Sequence, residues 1–291
     1  CFYNKALFKK LGINKLPETQ EEFDDLCDLL VFKGIQPIYM AMGDTWPILY
    51  QFALDPVFAG KKGQELIDKL NDNQLLYADI PEFKAMLIWF KKAAERGWFG
   101  KNYMTDLFSA DVTSRKLNSG KAAMIFCWDS WFYTDFNSDK AAYTVNDFGI
   151  MPIFMGTCRN GTFEGPNISL LLVNKHSANL KHALAFIRFA SNADNYNLAF
   201  EGIGTTPIFR TQTSNILSMQ YIESRDRIRK YLNTSNAVLQ IVGFSQKEGG
   251  SAIKKYLAGT ISLERCIALM DADRIATANL LKSRISEGDK K

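Results

Sequence analysis

Two short runs set indoles beside a carboxylate: Asp44, Thr45 and Trp46 in one, and Trp128, Asp129, Ser130 and Trp131 in the other. A carboxylate accepts hydrogen bonds from hydroxyls and an indole face stacks on the C–H side of a pyranose, so each run holds the elements of a saccharide cleft. Each carboxylate is also a candidate general acid, because glycoside hydrolysis needs two acids flanking one bond. No separate nucleophile with an oriented base accompanies them, which favours binding over hydrolysis. Asp271 and Asp273 fall on different faces of a helix and offer no matching pair. The indoles fit packing as well as recognition: Trp128 and Trp131 can close the bottom of a sheet instead of lining a cleft.

Other chemistries find little support. His176 and His182 are six apart and cannot share a helix face as i,i+4 ligands, and neither lies in an HExxH run. Gly202 and Gly204 form neither a GxGxxG turn nor a P-loop, and no GxSxG elbow occurs. The five cysteines (Cys1, Cys27, Cys127, Cys158, Cys266) form no CxxC pair. Cys27 and Cys266 fall on apolar helix faces and Cys127 ends an apolar strand, where a thiol acts as a small hydrophobe. Neither a metal nor a cofactor is expected.

The 291 residues are 47% hydrophobic and 23% charged, an ordinary globular composition with room for two domains, or for one lobe and pieces of another. No apolar run approaches the roughly 18 residues of a membrane span. The net charge of +4 is scattered, and Lys91 with Lys92, Arg225 with Arg227 and Arg229, and Lys254 with Lys255 read as solvated helix faces rather than a phosphate-binding stripe. Nucleic acid is thereby set aside as a partner.

The elements that must carry the indoles are well punctuated. Thr19 and Glu22 form a capping box, Phe23, Leu26, Cys27 and Leu30 make an apolar stripe, and Gly34 stops the helix. A strand is expected over Ile35 to Met42, after which Gly43 and Asp44 turn the chain into Thr45, Trp46 and Pro47. A helix from about Pro81 to Arg96 carries Phe83, Met86, Leu87, Phe90 and Ala94 on one side and stops at Gly97, with Trp89 and Trp98 as packing residues. After Leu117 and the stop at Gly120, Lys121 to Cys127 reads as a strand that delivers Trp128 and Trp131 to its end. In open α/β sheets the crevice beyond the carboxyl ends of strands is where small ligands sit. A short strand is expected between Asp147 and Pro152, and a fully buried one over Ile168 to Val173. Ser177 is expected to cap a helix with the stripe Leu180, Ala183, Leu184 and Ile187. Beyond Thr211 helix signals dominate and strand signals are nearly absent, and Ser262 caps a terminal helix bearing Leu263, Cys266, Ile267 and Met270.

Several stretches occur in the order found in one family. Tyr3-Asn4-Lys5-Ala6-Leu7-Phe8 with Pro17 to Phe23, then Thr45-Trp46-Pro47, then Phe108, Gly120-Lys121-Ala122-Ala123-Met124 and Trp131, resemble segments of bacterial extracellular solute-binding proteins of family 1, the maltose-binding protein type. Asp147 to Pro152, Gly165, the helix Ala178 to Ala190, Gly202, Gly204 and Pro207, and Tyr256 to Glu264 resemble its second half. The resemblance implies an α/β, type II periplasmic-binding-protein-like fold with a helix-rich C-terminus. Residues 1–165 and 213–291 would form the second lobe and 166–212 a returning segment of the first, with the N-terminal part of the first lobe outside this chain. No signal segment is readable before Cys1, and Cys1 leads straight into a folded element, a poor setting for a lipidated cysteine.

The implied function is non-enzymatic: a monomeric carbohydrate-binding component of an ABC importer, closing two lobes on a sugar and presenting it to the permease subunits. Its place would be the outer face of the cell membrane as a lipoprotein, or the periplasm. Trp131 would be the principal stacking platform, Trp46 a second wall, Asp44 and Asp129 hydroxyl acceptors, and Asn167 a hinge-side hydrogen-bonding residue. Two departures mark this chain: Trp128 to Trp131 replaces a glycine-rich approach, and Phe244, Ser245 and Gln246 stand where maltose binders carry another tryptophan. The other readings are an α/β enzyme acting on a saccharide with Asp44 or Asp129 as its acid, and a binder of a non-sugar solute such as a peptide.

Overall fold

The computed structural model describes residues 1–128, 132, 142–156, 161–164, 172–199, 223–224, 226–227, 230, 232–234 and 236–288. The chain enters with β1 (Phe2–Asn4), and Asn4 caps α1 (Lys5–Lys10) by accepting from Leu7 N at 2.7 Å. Thr19 caps α2 (Gln20–Phe32), its Oγ1 accepting from Glu22 N. The reciprocal half of the expected box is displaced by one residue, since the Glu22 carboxylate accepts from Glu18 N (2.7 Å) and from Lys15 Nζ (2.8 Å).

β2 (Gln36–Ile38) is shorter than the strand expected over Ile35 to Met42. Tyr39 N still donates to Met124 O, but Ile38 N, Met42 N and Gly43 N donate to Trp98 O, Tyr103 O and Asp106 O. The loop over residues 98–106 thus takes the place of a neighbouring strand. Then come α3 (Gln51–Phe58), α4 (Gly60–Asn71), α5 (Pro81–Glu95), α6 (Ala110–Asn118), β3 (Ala122–Ile125) and β4 (Phe148–Ile150). These are followed by β5 (Thr162–Glu164), α7 (Leu180–Ala190), α8 (Ala193–Ala199), β6 (Leu232–Thr234), α9 (Gln246–Leu257) and α10 (Leu263–Gly288).

The main sheet has the order β2-β3-β1-β4. β2 and β3 run parallel (Gln36 beside Ala122), and β1 lies antiparallel to both β3 (Phe2 beside Ile125) and β4 (Tyr3 beside Gly149). β5 and β6 form a separate parallel pair, and β6, three residues long, is the one strand among the described residues after Thr211, where helix signals dominate. Of the strand expected over Ile168 to Val173, residues 168–171 lie outside the described residues.

The larger core packs α2, α3, α5, α9 and α10 on the sheet around Phe23, Phe52, Phe83 and Phe90, all buried. Each such ring contributes about 1.5–3 kcal/mol by leaving water. A smaller cluster of Phe2, Tyr39, Leu117, Ile125, Phe132 and Phe148 includes a stacked pair, Phe2 on Phe132 at 4.1 Å. Trp89 and Trp98 pack as expected, and each indole N–H lands on a carboxylate of α2: Trp89 Nε1 on Asp24 (3.2 Å) and Trp98 Nε1 on Asp28 (2.7 Å). Lys92 is no bare solvated charge, because its Nζ donates to Asp24 at 2.6 Å, and Lys91 Nζ sits over the Tyr256 ring and donates to Leu257 O.

α7 and α8 are built differently. None of their residues is buried, and Phe186 and Phe189 are 60% and 62% exposed. Ser177 does not cap α7 as expected; its Oγ accepts from Asn179 N, closing a turn just before a helix whose N-cap, Asn179, makes no side-chain bond. Ser262 does cap α10, accepting from Arg265 N. No helix among the described residues is long and apolar enough to cross a membrane.

Candidate functional site

The stretch from Gly43 to Phe52 organises the described part of the site. Gly43 N donates to Asp106 O at 2.9 Å, and a Cβ here would stand 2.7 Å from that oxygen and 2.8 Å from Thr105 O, so only glycine lets the chain pass. Asp44 follows, half-buried. Trp46–Ile48 then makes a single 3-10 turn with Pro47 in its first positions, and Leu49 takes a left-handed conformation (φ 51°, ψ 35°) that non-glycine residues seldom adopt. Tyr50 leads into α3.

Three aromatic contacts radiate from this stretch. Trp46, 40% exposed, meets Phe108 edge-on at 5.2 Å between ring centroids. Tyr50 is buried, lies 5.3 Å from Phe244, and donates its hydroxyl proton to Ser245 O at 2.7 Å. Phe52 meets Trp128 edge-on at 5.4 Å. Trp46 and Tyr50, the residue on which Phe244 packs, thus lie four apart in one stretch of chain.

Trp128 packs against the main core, and its indole N–H is buried without a hydrogen-bond partner among the described residues, so it sits as a packing residue. Asp129, Trp131 and Asn167 lie outside the described residues. Sequence reasoning passed over Tyr50 and Phe52, whose signal was only their place one and two turns beyond Trp46; Phe108 entered as part of a motif but not as a contact of Trp46.

A second polar group lies where α10 meets the 3-10 turn Tyr77–Asp79. Asp271 accepts from Tyr77 N (2.7 Å) and Ala78 N (3.2 Å) and so caps that turn. Burial pushes its carboxyl upward, against the pull of those amides and Arg274. Arg274 is 1% exposed, donates to Leu70 O at 2.8 Å and lies over the Tyr77 ring. A cavity of about 10 Å³, room for one water, lies among Tyr50, Tyr77, Asp273 and Arg274.

Cys27 and Cys266 are buried thiols pushed up by desolvation, Cys266 to about 12, and so are poor nucleophiles. Among the described residues no group of three His, Cys, Asp or Glu could hold a metal ion.

The family model for bacterial extracellular solute-binding proteins matches residues 1–197. The chain belongs to this family. Among solved structures it resembles a chitin oligosaccharide binding protein, at 16% identity and a TM-score of 0.70, covering 96% of this chain and 69% of that one. It also resembles a sugar transporter from Bacillus licheniformis in complex with stachyose (19% identity, TM-score 0.69, 94% of this chain and 70% of the other). A third is RafE in complex with raffinose (19% identity, TM-score 0.67, 95% and 70%). The fold is accordingly the type II periplasmic-binding-protein-like α/β fold, of which this chain spans about 70% of the neighbours' length. No curated protein matches the chain.

Proposed function

We propose that the protein is the sugar-binding component of an ABC importer and not an enzyme. The observation that carries this reading is Trp46, a part-exposed indole braced edge-on by Phe108, with Asp44 two residues before it. An exposed apolar ring face beside a hydroxyl acceptor suits a pyranose, and the chain belongs to a solute-binding family with structural neighbours that hold stachyose and raffinose. Trp46 forms one wall, Phe244, packed on Tyr50, contributes apolar surface, and Asp44 accepts hydroxyl protons. Asp129, Trp131 and Asn167 complete the site as acceptor, stacking platform and hinge-side hydrogen-bonding residue. The protein acts as a monomer in the periplasm or lipid-anchored at the outer face of the membrane, and hands its ligand to permease subunits.

Two lobes are proposed, with residues 1–165 and 213–291 in one and 166–212 in the other. The lack of any buried residue in α7 and α8 supports their belonging to a different lobe from the main core.

The reading is tested on the protein carrying both lobes, by thermal shift and titration calorimetry with raffinose, stachyose, maltose and chitin oligosaccharides. At one hundred times its Kd a true ligand adds about 2.7 kcal/mol of stability. Trp46→Ala is expected to weaken binding by at least tenfold, about 1.4 kcal/mol, with Trp46→Phe intermediate and stability little changed. A protein that shifts with none of these sugars, or that releases hydrolysis products, overturns the proposal; a shift with peptides alone moves it to a non-sugar solute.

A further inference from the structure

Trp46 and Phe244 depend on one joint. α9 starts at its N-cap Ser245, whose Oγ accepts from Glu248 N at 3.1 Å, and its opening turns lie on the turn that carries Trp46. A Cβ on Gly250 would collide with Thr45 O and stand 2.9 Å from Thr45 C and 3.2 Å from Ile48 Cδ1. One on Gly249 would collide with the Tyr50 hydroxyl and stand 2.5 Å from Tyr50 Cζ. Both glycines are buried inside a helix and neither has a positive φ, so their backbone does not call for glycine; only the close approach does. Adjacent glycines in a helix interior run against helix propensity, and packing is what repays that cost here. The joint is closed by Tyr50 Oη donating to Ser245 O, by Gln246 Nε2 donating to Gln51 Oε1, and by the Tyr50 and Phe244 rings.

We propose that Gly249 and Gly250 are positioning residues for the ligand site: by seating α9 directly on the Thr45–Tyr50 backbone they set Trp46 and Phe244 at a fixed separation. This rests on the reading of those two rings as sugar contacts. α9 and the Trp46 turn then move as one body, and crowding the joint displaces the Trp46 ring.

The test uses the protein carrying both lobes, labelled with 5-fluorotryptophan, with the Trp46 fluorine resonance assigned by its loss in Trp46→Phe. Gly250→Ala is expected to shift that resonance and weaken raffinose or stachyose binding at least tenfold. Ile253→Ala, fully buried in the core on the same helix, is expected to lower Tm while leaving the Trp46 resonance in place. An unmoved resonance in Gly250→Ala, or an equal shift in Ile253→Ala, overturns the proposal. Should Gly250→Ala fail to fold, Tyr50→Phe, which removes the bond to Ser245 O and the hydroxyl that lies over Gly249, must shift the same resonance or the proposal falls. Failure of the sugar reading is separately visible, as a resonance that shifts in a protein that binds no sugar.

Discussion

Gly43 decides where Asp44 can stand, because the carbonyls of Thr105 and Asp106 occupy the space of a side chain. Gly43→Ala is expected to cost about 1–3 kcal/mol, the usual range for overpacking, measured by urea unfolding. Asp24 is the other single residue on which much converges, accepting from Gln20 Nε2, Trp89 Nε1 and Lys92 Nζ. Asp24→Ala orphans a buried indole N–H and a charged amine, and about 2–3 kcal/mol is expected to be lost; Asp24→Asn, which keeps one acceptor, is expected to lose less. Trp46 was legible in the sequence because Thr45 and Pro47 flank it in a recognisable run. The convergence on Asp24 was not, since Trp89 and Lys92 lie 65 and 68 residues further on. Packing was one of the two readings the sequence left open for Trp128, and its edge-on contact with Phe52 favours it.

Among the elements, those with strong local punctuation were readable. α2 begins at Thr19, α10 after Ser262, and α5 opens on Pro81 and stops before Gly97 at φ 77°. α3 and α4 escaped notice because Tyr50 and Ala59 make no side-chain cap and Pro56 sits inside α3. β6 escaped because its only reason to be a strand is β5, far away in sequence. α10 also carries a pH signature. Burial, with Glu248 nearby, raises the Asp273 carboxyl. The folded state therefore holds that proton more tightly than the unfolded chain, whose carboxyl titrates near 3.9. Stability falls as pH climbs through the interval between the two values, and the penalty persists at neutral pH. Asp273→Asn is expected to raise Tm at pH 7, with the advantage fading below about pH 3.9, as Tm measured across pH would show.

At the scale of the whole molecule, the family was legible because weak motifs occur in order along most of the chain, whereas the large core and the helices without buried residues emerge only from burial. Phe186 and Phe189 on α7 remain open to water. The chain alone is expected to bind a hydrophobic dye such as ANS, and Phe186→Ser with Phe189→Ser to reduce that binding while changing stability by no more than about 0.5 kcal/mol each, as for surface positions. The sheet order has a consequence in time. β1 is an inner strand, and its neighbours β3 and β4 lie more than a hundred residues later in the chain. At roughly 5–20 residues per second of synthesis, a growing chain carries the Phe2–Asn4 segment for on the order of ten seconds before either edge has a partner. Pairings of such long range are slow to close, so the inner strand of this sheet is made first and is paired last, once β3 and β4 have been synthesised.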